Sequence, residues 1–104
     1  MSEYLTDEAR DTHFRKLADR FIDTANRQTE DTDLTVINSA LLYAAARFCS
    51  FVIASKATDK ERYEKMKPEA LEYYGNEFNK MLAQNLENYA EVFDDDNDIE
   101  DPPH

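Results

Sequence analysis

Arg47, Asn38 and Asn85 are polar residues set among apolar ones, and their placement is where chemistry could enter this chain. A polar group buried without a partner costs about 2–7 kcal/mol, so each of the three must meet one. One reading makes a small binding site. Arg47 would hold an anionic group in its guanidinium fork, with the amides of Asn26 and Asn38 beside it. The other reading is structural and comes first. It pairs Arg47 with a carboxylate such as Asp23 or Glu72 and uses the asparagines to fix the register between helices.

Other chemistry has little to work with. One cysteine, two histidines (His104 being the last residue) and a single glycine leave no hydrolase triad, zinc site or phosphate loop. No Glu-x-x-His pair is available for a di-iron bundle. Asp94, Asp95 and Asp96 lack the spacing and closing glutamate of an EF-hand. Catalytic residues, metal ions and cofactors are therefore expected to play no part. Cys49 has no His or Lys within a turn of it, so it reads as a small hydrophobe. His13 reads as a surface histidine. Tyr43, Tyr73, Tyr74 and Tyr89 read as half-buried packing residues.

These residues have to be positioned by helices. The stretch 34–54, LTVINSALLYAAARFCSFVIA, spreads its bulky apolar side chains over roughly 200° when wound as an α-helix, about twice the arc of an ordinary surface helix. Two neighbours are needed to cover it. Its length would suffice to cross a bilayer, but Arg47 at mid-span argues against that by at least ~2.5 kcal/mol. Before it, residues 7–28 carry Phe14, Leu17, Ala18, Phe21, Ile22 and Ala25 at helical spacing. Thr6 is placed to cap that helix, and Arg15, Lys16, Asp19, Arg20 and Asp23 form its wet face. Thr32 or Asp33 is placed to cap the central helix, and the short joint makes the first two helices antiparallel neighbours.

Thr58-Asp59-Lys60-Glu61 matches a capping box and starts a third helical region. Pro68 should divide that region into a short helix over 59–66 and a long one over 68–92, or kink it sharply. In the long part Leu71, Tyr74, Phe78, Met81, Leu82, Tyr89, Val92 and Phe93 share a face. Gly75 has two readings there, close approach of a neighbour on one side and helix fraying or a gentle bend on the other.

Charge narrows the partners. The net charge of −11 repels phosphate backbones and anionic lipid heads, so neither nucleic acid nor a membrane is the expected partner. Six of the acids lie in the last eleven residues, DDDNDIEDPPH, which reads as a disordered tail. The first ten residues lack the basic start and apolar run of a signal peptide, and a cytoplasmic address follows.

Phe14, Ala18-Asp19, Phe21-Ile22 and Ala25-Asn26-x-Gln28, then Ser39-Ala40 and Tyr43-Ala44-Ala45-Ala46-Arg47-Phe48, then Tyr73-Tyr74 and Met81-Leu82-x-x-Asn85-Leu86-x-x-Tyr89, resemble a bacterial family classed as domain of unknown function 3144. The resemblance covers most of residues 14–93. It implies a small, all-helical, cytosolic bacterial protein and brings no activity, cofactor or site with it.

The sequence thus predicts an all-α domain over residues 1–93, an antiparallel three-helix bundle with an extra short helix before the last long one, and an acidic tail over 94–104. Its expected function is that of a non-enzymatic protein-interaction or structural module, with a protein partner or self-association as a homodimer. The alternatives are a module or enzyme that binds an anionic ligand through Arg47, Asn26 and Asn38, and an acidic mimic of nucleic acid.

Overall fold

The computed structural model describes residues 6–94, and within them every regular element is helical. Helix α1 is Asp7–Arg27, followed by one 3-10 turn at Gln28–Glu30; α2 is Leu34–Lys56 and α3 is Lys60–Asp94. The residues assigned from sequence to a disordered tail lie outside the described residues, apart from Asp94, which closes α3.

Each helix begins where a side chain satisfies free backbone amides. The Thr6 hydroxyl accepts from the Ala9 amide at 3.0 Å, and Asp7 and Glu8 follow in the first turn of α1, where the helix dipole favours negative charge. Asp33 takes this place for α2. Its carboxylate accepts the Thr35 hydroxyl at 2.7 Å, and that bond, with the Thr35 and Leu34 amides, holds its pKa below the ordinary value.

The start of α3 corrects the capping box. The Arg62 amide donates to the Asp59 carboxylate at 2.8 Å, so Asp59 is the cap and not Thr58. A carboxylate makes a charge-assisted bond to an amide and a hydroxyl does not, so the cap settles one residue later than the motif suggests.

The predicted short helix does not exist as a separate element. α3 runs unbroken for 35 residues with Pro68 inside it. Proline removes the N–H that would have reached the Glu64 carbonyl. Glu64 is an exposed residue of the helix. Strong helix formers flank the site, from Lys60 to Lys67 and from Glu69 to Glu72, and the Lys67 ammonium meets the Glu64 carboxylate across it at 2.8 Å.

The described chain divides into two units, residues 6–41 and 42–94, and α2 runs through the division. In the first unit the half-buried residues of α1 are Ala18, Asp19, Ile22, Asp23, Ala25 and Asn26. The covered face is therefore rotated from the expected one. Asp19 and Asp23 are half-buried, while Phe14 and Phe21 stand 62% and 66% exposed. In the second unit Cys49, Val52 and Ile53 of α2 and Tyr63, Met66, Ala70 and Tyr74 of α3 are half-buried.

No described residue is fully buried. The wide apolar arc of α2, expected to be hidden, is mostly open: Leu34, Phe48 and Phe51 are 64%, 67% and 62% exposed. Within its own unit each part of α2 lies beside one helix, and one neighbour covers about 100° of a 200° arc.

Candidate functional site

Two apolar grooves mark where α2 meets a neighbour. The first, of about 450 Å³, is formed by Ile22 and Ala25 of α1 with Leu34, Ile37, Asn38 and Leu41 of α2. The second, of about 500 Å³, is lined by Ala46, Cys49, Ser50 and Ile53 of α2 and by Tyr63, Lys67, Ala70, Leu71, Tyr74 and Gly75 of α3. Small residues on both helices open the second groove, and apolar side chains form most of both walls.

Two polar side chains along the second groove are already engaged. The Ser50 hydroxyl donates to the Ala46 carbonyl of its own helix at 3.0 Å. Lys67 is held by Glu64, which raises its pKa through a hydrogen bond and charge. Walls this apolar suit an apolar side chain.

The sequence-predicted residues fall in different places. Asn38 lines the first groove, Asn26 is half-buried near the end of α1, and both belong to the first unit. Arg47 belongs to the second unit and is exposed. The ion pairs formed there, Lys65–Glu61, Lys67–Glu64 and Lys80–Glu77, do not include it. Asn85 finds its partner on its own helix, its amide donating to the Met81 carbonyl at 2.8 Å. It is exposed, so no burial cost has to be met.

His13 lies beside Thr12 and Lys16 in a shallow hollow on the first turns of α1. Cys49 is free and half-buried in the second groove, close to the expected role of a small hydrophobe. Tyr74 and Tyr89 are half-buried as expected, and burial pushes the Tyr89 phenol up. Tyr43 and Tyr73 are not, at 67% and 60% exposed. Among the described residues no three His, Cys, Asp or Glu side chains gather as a metal site would require.

A Cβ built on Gly75 meets nothing within 4 Å. Of the two readings of this glycine, close approach by another part of the chain is removed. The bend is left, or a neighbour from outside.

What the sequence reasoning missed is the exposure of α2. This 23-residue helix holds an 18-residue window of mean hydropathy 1.6, long and apolar enough to cross a membrane, and none of that window is buried. The signal was present in composition: α2 contains no Asp or Glu, in a chain that has 23 of them. The exposed apolar surface of α2 is thus the candidate site.

No curated protein and no solved structure matches the chain. A family model does match residues 14–90, from Phe14 in α1 to Ala90 in α3. The match takes in nearly all of the three helices, and the chain belongs to that family, described as protein of unknown function (DUF3144).

Proposed function

We propose that this protein is a non-enzymatic interaction module whose working surface is the apolar face of α2. The observation that carries this is a 23-residue helix without a carboxylate, left open to solvent in a chain of net charge −11. Isolated exposed apolar residues are ordinary, but a contiguous apolar surface on a monomer marks a site of association. The grooves support the finer arrangement: α1 and α3 fold back antiparallel along α2, which is the middle member of a three-helix bundle. The partner covers what they leave open.

On this reading the protein works in the cytoplasm, away from nucleic acid and from the bilayer. The acidic charge supports the second point. Arg47 supports the third, since an arginine at the centre of a span costs about 2.5–3.5 kcal/mol on insertion scales.

A photo-reactive phenylalanine analogue at position 48 tests the proposal in intact cells. Cross-links that shift the protein to a discrete higher mass are expected. Recovery of the uncross-linked chain alone, or flotation of the purified protein with neutral phospholipid vesicles, overturns it.

A further inference from the structure

We draw no further inference here: the strongest candidate, the apolar groove of the second unit between Cys49 and Ile53 of α2 and Tyr63, Ala70 and Tyr74 of α3, carries nothing, because its cation Lys67 is already held by Glu64 and nothing in the structure shows what covers it.

Discussion

α2 and α3 are neighbours in sequence and opposites in what they need. α3 carries its own support: Lys65–Glu61, Lys67–Glu64 and Lys80–Glu77 lie along its outside, Asn85 bonds back to Met81, and an apolar stripe is kept to one side. α2 has no carboxylate, and among the described residues it forms no ion pair. Apolar side chains surround most of it, and its internal side-chain bonds are those of Ser50 and Ser55 to the preceding turn. Exposed pairs such as those of α3 contribute about 0.2–0.5 kcal/mol each, enough to help a helix stand alone. Fully burying one large apolar side chain contributes about 1.5–3 kcal/mol, so α2 draws its stability from whatever covers it. One helix is built to face water and the other to be covered.

The largest expected effect breaks α2's side of this contrast. Ile53→Asp puts a carboxylate into the groove against Tyr63 and Ala70 and should cost about 3 kcal/mol, read from the urea midpoint. An unchanged midpoint would mean that the groove holds nothing together.

Pro68→Ala tests α3's self-sufficiency. It restores a backbone hydrogen bond in an intact helix and should stabilise the protein by about 2 kcal/mol. A loss of stability would show that the fold needs a bend at that point.

Gly75→Ala is smaller and sharper. With no atom within 4 Å of the added Cβ, it should stabilise α3 by about 1 kcal/mol. If instead it weakens association while leaving the isolated helix content unchanged, a neighbour from outside the chain rests on that glycine.

The least effect concerns pH. The Asp33 carboxylate is held below its ordinary pKa of 3.8 by its bonds to Thr35 and Leu34. Its contribution is therefore present above that value and lost as the pH falls through the lower, folded one. Asp33→Asn keeps a capping side chain and removes the titration, so the thermal midpoint of the variant should fall less steeply below pH 4 than that of the parent.

Much of this was legible in the sequence because it depends on local chemistry. The helical class follows from apolar spacing and scarce breakers, and the Thr6 cap from a side chain that answers a free amide three residues on. The family follows from strings such as Tyr43 to Phe48. The less legible features turn on competition between near-equal local choices. Thr58 and Asp59 both offer a cap, and the charge-assisted one wins. Pro68 can break a helix or ride in it, and the residues on both sides tip the balance.

The candidate surface was only half visible. An apolar arc too wide for one neighbour could be read from residues 34–54, yet which residues of the other helices come beside it could not, because side chains about 10 to 30 positions apart have to find each other first. The sequence by itself determined the helical class and placed the three main helices to within a residue or two, since hydrogen bonds between near neighbours and the period of apolar residues are set along the chain; the separate short helix before Pro68 is not formed. Only the tertiary structure decided that Ile22 and Ala25 come beside Ile37 and Leu41 within the first unit, that Tyr63, Ala70 and Tyr74 come beside Cys49 and Ile53 within the second, and that Leu34, Tyr43, Phe48 and Phe51 stand exposed. Burial is shared out among distant residues competing for the same apolar surface, and that allocation is a property of the folded chain.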